Sequence, residues 1–202
     1  MNRNQLLEAC DELNIKIKIN PDNILQIKGD YEAYSQIENI NGNWEYSVIN
    51  FERRTPPEKT NVKVFSDEEF AITHFFINVL KEAYFYEVFP PNNPAHDVKS
   101  TQELKDLFDD IGIKERLYSF RDVEPQQIYG EMDKNQTLII SYINENKQKQ
   151  FTTMPLPLER GFFVMYRLTH FLHILKMVEE KLKEDNILNT SFNDQDIETF
   201  IK

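Results

Sequence analysis

The sequence predicts an α+β fold in which one kind of unit, an antiparallel sheet backed by a long helix, occurs twice. Three observations predict it. Four short stretches recur in the same order: Leu13-Asn14-Ile15-Lys16 with Ile111-Gly112-Ile113-Lys114, Tyr31 with Tyr129, Ser47-Val48-Ile49-Asn50 with Ser141-Tyr142-Ile143-Asn144, and Ile72-Thr73-His74-Phe75 with Leu168-Thr169-His170-Phe171. Runs that alternate apolar and polar residues, as in Ile15, Ile17 and Ile19 between lysines, mark half-buried strands. Each set of strands is followed by a long apolar stretch with helical spacing. The expected organisation is a first α+β unit over 1–88, a Pro/Asn-rich linker over 89–99, and a second unit over 100–202 with a helical tail. Two such units would pack about a pseudo-twofold axis, as an isologous homodimer does.

The elements follow in order. Leu6, Leu7, Cys10 and Leu13 form one stripe of a short helix over 3–13. Strands are expected at 15–19 and 24–28, separated by the turn Pro21-Asp22-Asn23. The surface lysines over 15–18 suit an edge strand. A hairpin follows: 31–40, the turn Asn41-Gly42, whose residues tolerate positive φ, and 43–51. On the returning strand Trp44, Tyr46 and Val48 share one face, and Glu45, Ser47 and Ile49 the other. Thr55-Pro56-Pro57 breaks pairing before a last strand at 61–65. Ser66 with Glu69 forms a capping box and Phe65 with Phe70 a hydrophobic staple, opening a helix that runs to about residue 86. In the second half Ser100 and Glu103 open the counterpart of the first helix. Strands are expected at 113–120, 127–132, 137–143 and 150–153. Pro155 and Pro157 lead into a helix ending near 184, and Asn193 caps a final helix over 194–201.

Composition narrows the function. Hydrophobic residues make up 40 % and charged residues 28 %, enough for a core beneath a charged surface. No apolar run is long enough to span a bilayer, and the first residues do not read as a signal peptide. The single cysteine, Cys10, lies on an apolar helix face and reads as a buried thiol. These features predict a cytoplasmic protein. Net charge is −11. Residues 1–98 carry 9 basic and 16 acidic side chains, and 99–202 carry 14 and 18, so both halves are acidic. An acidic field repels phosphate backbones and attracts basic proteins, which argues against direct nucleic-acid or membrane binding.

Catalytic signatures are missing. The five glycines form neither a dinucleotide fingerprint nor a phosphate-binding loop, and there is no nucleophile elbow. His74 and His170 sit at equivalent places of the repeats and read as core or boundary residues. His170 and His173 share a helix face, but no third ligand stands near in sequence. Asp109-Asp110 and Glu68-Glu69 are adjacent, so they splay around a helix instead of converging. The sequence thus predicts no enzyme, no catalytic residues, no cofactor and no metal.

One segment carries a resemblance. Gly42-Asn43-Trp44-Glu45-Tyr46, then Phe51-Glu52-Arg53, then Lys63-Val64-Phe65-Ser66-Asp67-Glu68-Glu69-Phe70-Ala71, then Phe75-Phe76 and Leu80 resemble small immunity proteins of bacterial polymorphic toxin systems. It covers roughly residues 13–86. The second unit departs from it: Leu138 stands near the tryptophan place, and Asn144-Glu145-Asn146-Lys147 lacks the Glu-Arg step. The resemblance implies an α+β fold without catalysis and a cognate protein toxin as partner, in such systems often a basic nuclease. Partner contacts are then expected at Trp44, Tyr46, Glu52 and Arg53, with Asp67 and Glu68 as an acidic rim. An acidic nucleic-acid mimic or regulator, a non-inhibitory adaptor and an unrecognised enzyme remain alternatives.

Overall fold

A computed structural model describes residues 1–51, 57–134 and 136–202. It is α+β, with two five-stranded sheets and helices beside each. No helix among the described residues is long and apolar enough to cross a membrane.

The chain divides into two compact units, Met1–Ala83 with Lys181–Ser191, and Tyr84–Glu180 with Phe192–Lys202. The expected linker is therefore part of the second unit. Asn93, Ala95 and Val98 are buried, and the Asn93 amide donates to the Val88 carbonyl at 2.9 Å. The prolines there end one helix without making a free tether: Pro94–His96 closes a 3₁₀ turn.

In the first unit α1 (Arg3–Glu12) buries Leu6, Ala9 and Cys10; of the expected stripe Leu6 and Cys10 hold, while Leu7 is exposed and Ala9 takes the third buried place. A meander follows: β1 (Ile17–Ile19), β2 (Asn23–Gln26), β3 (Tyr34–Ile40), β4 (Asn43–Asn50) and β5 (Glu58–Phe65), all antiparallel neighbours in sequence order. Asn41 and Gly42 join β3 to β4 with φ of 53° and 87°, as a tight hairpin requires. Helix α2 (Glu68–Ala83) lies on the sheet face of Tyr46 and Gln26: the His74 ring meets Tyr46 edge-on at 4.8 Å, and Gln26 donates to Glu82 at 3.0 Å. The cap of α2 is one residue later than expected. The Phe70 amide donates to the Asp67 carboxylate at 3.1 Å, so Asp67, not Ser66, is the cap. That shift removes the expected staple, and Phe70 is 64 % exposed. The helix also stops at Ala83, short of 86; Tyr84 breaks it before the single turn α3 (Phe85–Val88) of the second unit.

The second unit also runs from a short helix through strands to a long helix, with different edges. Helix α4 (Thr101–Asp110) is followed by β6 (Tyr118–Ser119), β7 (Gln127–Met132), β8 (Thr137–Ile143), β9 (Lys149–Thr152), β10 (Leu156–Pro157), α5 (Leu158–Glu184) and α6 (Asp194–Ile201). The strand expected over 113–120 shrinks to two residues and runs parallel to β7, because the 3₁₀ turn Glu115–Leu117 consumes its start. Both β9 and β10 pair with β8, so they are one edge strand interrupted before Pro155. Gly161 explains how α5 seats on β8: an added Cβ would stand 2.7 Å from that of Leu138.

Of the four recurring stretches, the first is the closest match in structure. Leu13 and Ile111 end α1 and α4, Asn14 and Gly112 take left-handed φ of 54° and 75°, and Ile15 and Ile113 donate to the Cys10 and Phe108 carbonyls at 2.8 Å in both. Ser47 and Ser141 lie buried on the central strands, each beside a bulge whose extra residue is in the edge strand. The tyrosine pair does not correspond: Tyr31 is in a turn, Tyr129 is in β7 opposite Ser141, and Gln36 holds the place opposite Ser47. The histidine pair shares neither place nor surroundings: His74 is the seventh residue of α2 and meets Tyr46 of β4, whereas His170 is the thirteenth of α5 and meets Tyr166 of the same helix.

Candidate binding surface

The six residues expected to touch a partner are distributed by the alternation of β4 and the start of α2. Trp44 and Tyr46 point to the helix side and are only 7 % and 3 % exposed. This corrects their assignment to a contact surface: both rings are spent on the core. The Arg3 guanidinium lies over Trp44 at 5.4 Å and donates to Glu68 at 2.6 Å and to the carbonyls of Asn20 and Pro21 at 2.8 and 2.6 Å. Arg3 thus ties the β1–β2 turn, β4 and α2 together, and Glu68 is the acid of that clamp, not an open rim. The Tyr46 hydroxyl shares a hydrogen bond of 3.1 Å with Ser35, and burial raises its pKa. Asp67 turns its carboxylate to the backbone of α2. Glu52 and Arg53 lie outside the described residues.

The opposite face of the same sheet carries a surface that the sequence reading passed over. Strand register puts Lys18, Leu25, Tyr34, Gln36, Glu38, Glu45 and Ile49 there, since each alternates with the residues that meet α2. Lys59 reaches across from β5 to Glu38 and, at 2.9 Å, to Glu45. At the β1–β2 side the face opens into a groove of about 690 Å³. Its apolar walls are Leu25, Ile27, Tyr34, Phe51 and Tyr31. Lys18, Lys28, Asp30 and Glu32 supply the charges.

Tyr31 is the unusual residue. The residue is 86 % exposed, and its backbone has φ of 67°, a left-handed conformation that bulky side chains rarely adopt. It meets Phe51 edge-on at 6.2 Å, and Phe51 touches Tyr34 at 6.1 Å. Held strain of this sort clusters at binding surfaces. The Gly29-Asp30 turn signal was legible in the sequence; that it would place an aromatic ring beyond the sheet edge was not.

Other clusters are structural in character. His170 Nδ1 lies 3.1 Å from the Tyr166 hydroxyl and its Nε2 4.0 Å from Glu87. Burial, with His173 beside it, lowers the His170 pKa to about 4, and burial raises that of Glu87. Burial pushes the Cys10 thiol up to about 12, so the thiolate nucleophile does not form near neutrality. Among the described residues no group of three His, Cys, Asp or Glu could hold a metal ion. No protein-family model, no curated protein and no solved structure matches the chain.

Proposed function

We propose that this chain is a non-catalytic binding protein of the immunity type, which neutralises a basic protein toxin in the cytoplasm by covering its working surface. The observation that carries the reading is the outer face of the first sheet: an aromatic-lined groove with an exposed, strained Tyr31, in a chain of net charge −11. Aromatic anchors supply most of the energy of protein interfaces, and an acidic field raises the encounter rate with a basic partner. The resemblance of residues 13–86 to immunity proteins points the same way. A rival nucleic-acid mimic would need a row of free carboxylates; on this face Glu38 and Glu45 are clasped by Lys59.

A stable block needs about 800 Å² buried on each partner. The face around the groove is therefore the contact to test first. Capture from the native host with the tagged chain is expected to recover a toxin-like basic protein at stoichiometric level. Recovery of none, or of acidic adaptors only, overturns the reading.

A further inference from the structure

We propose that the groove beside β2 receives an arginine side chain of a basic protein, with Tyr31 stacking on the guanidinium and Asp30 pairing with it. The inference rests on the binding-protein reading and adds the recognised group. Three observations lead to it. The walls are apolar and aromatic, so they can cover the methylene stem of a long side chain and the plane at its end. Tyr31 stands exposed on a left-handed backbone conformation that bulky residues rarely adopt, and its ring meets Phe51 edge-on.

The third observation is charge. Of the two lysines among the described residues that line the groove, Lys28 is already paired with Glu82 at 2.5 Å. Glu32 accepts from the Gly29 amide at 3.2 Å. Asp30 makes no hydrogen bond or ion pair among the described residues, so its charge is available. Lys18 stands at the other end, opposite Leu25 in register. A cation is thus favoured at the Tyr31 end and an acceptor, such as a backbone carbonyl, at the Lys18 end. Arginine fits better than lysine because its flat, weakly hydrated head stacks on rings and offers a fork to one carboxylate.

The test uses the full chain, uniformly labelled with ¹⁵N, titrated with N-acetyl-arginine amide. Saturable amide shifts are expected at residues 27–34 and at Phe51, with N-acetyl-norleucine amide producing none. Tyr31→Asn keeps the left-handed turn, which asparagine tolerates, and removes the ring; it is expected to weaken binding about fivefold, within the range of a cation–π contact. Asp30→Asn is expected to weaken it similarly. Equal shifts with the norleucine compound, shifts spread over the chain, or no response to Tyr31→Asn would each overturn the proposal. The two readings separate cleanly. If wild type and Tyr31→Asn capture a toxin equally well, the groove assignment fails while the immunity reading stands. If arginine amide saturates the groove but no toxin is captured, the reverse holds.

Discussion

The two units differ most at the edges of their sheets. In the first, five antiparallel strands run in sequence order, and the outer face opens into an aromatic groove. In the second, the leading hairpin is replaced by a two-residue parallel strand, and the trailing edge is broken in two. What recurs lies at helix ends and strand centres. Both leading helices end in the same left-handed cap. Both central strands carry a buried serine beside a bulge. In both, the lysine that precedes the bulge in the edge strand pairs across with the isoleucine of the Ser-x-Ile-Asn stretch, Lys59 with Ile49 and Lys149 with Ile143. It then reaches over the isoleucine's strand to a glutamate on the next one, Glu38 of β3 or, at 3.1 Å, Glu131 of β7. Backbone geometry limits what can stand at caps and bulges, whereas sheet edges and loops face solvent and are freer to change.

The comparison can be broken most strongly at the leading helices. Cys10 and Phe108 hold matching places and are both fully buried. Phe108→Ala is expected to cost about 3–5 kcal/mol, and Cys10→Ala only about 1 kcal/mol, measured by urea unfolding. Equal losses would refute the view that the second helix depends on one large ring.

The fourth residues of the long helices differ in the same direction. Gly161→Ala forces a methyl group against Leu138 and should destabilise by about 1–3 kcal/mol. Its counterpart is already Ala71, buried without penalty. A neutral or stabilising Gly161→Ala would mean that α5 moves off β8 without cost.

The histidines sharpen the comparison through pH. Burial, helped by Lys63, lowers the His74 pKa to about 4, and that of His170 is lowered as far. In the unfolded chain both take protons near 6.5. The unfolded state then binds more protons, so stability is full above about pH 6.5, declines as pH falls, and reaches its full loss below about 4. His74→Gln and His170→Gln should each flatten the melting temperature against pH across that window. An unchanged slope in either variant would show that the histidine is not neutralised by its setting.

A smaller effect is expected at the caps. Gly112→Ala meets no atom but forces a methyl-bearing residue into positive φ, costing about 1 kcal/mol, while Asn14→Gly should stabilise by a few tenths of that. The lysine clasps rank last. Lys59→Ala and Lys149→Ala are each expected to cost about 0.2–1 kcal/mol, less at high salt. Lys59 should be the larger, since it serves two glutamates; the reverse order would argue that the second clasp matters more.

Much of the fold was legible because its signals are local. Asn41-Gly42 fixed a hairpin, Asn193 capped α6, and the strands at 127–132 and 137–143 have the bounds that alternation predicted. The errors arose where distant residues decide. Ser66 and Asp67 both cap well, and in the fold it is Asp67 that accepts from the Phe70 amide. The prolines over 90–94 look like a tether, yet Asn93 finds a buried partner in Val88. Trp44 and Tyr46 read as interface anchors because alternation gives two faces without saying which one a helix will cover.

The sequence by itself determined the fold class, the acidic surface, the buried thiol and most element boundaries, because alternation, caps and turn residues act over a few neighbouring positions. Only the tertiary structure decided that α2 covers the Tyr46 face, that Arg3 spans Trp44 and Glu68, and that Tyr31, Tyr34 and Phe51 meet around a groove. Those outcomes depend on strand register and on which face is desolvated. Both are set by contacts between residues far apart in the chain, and one residue of slip reverses them.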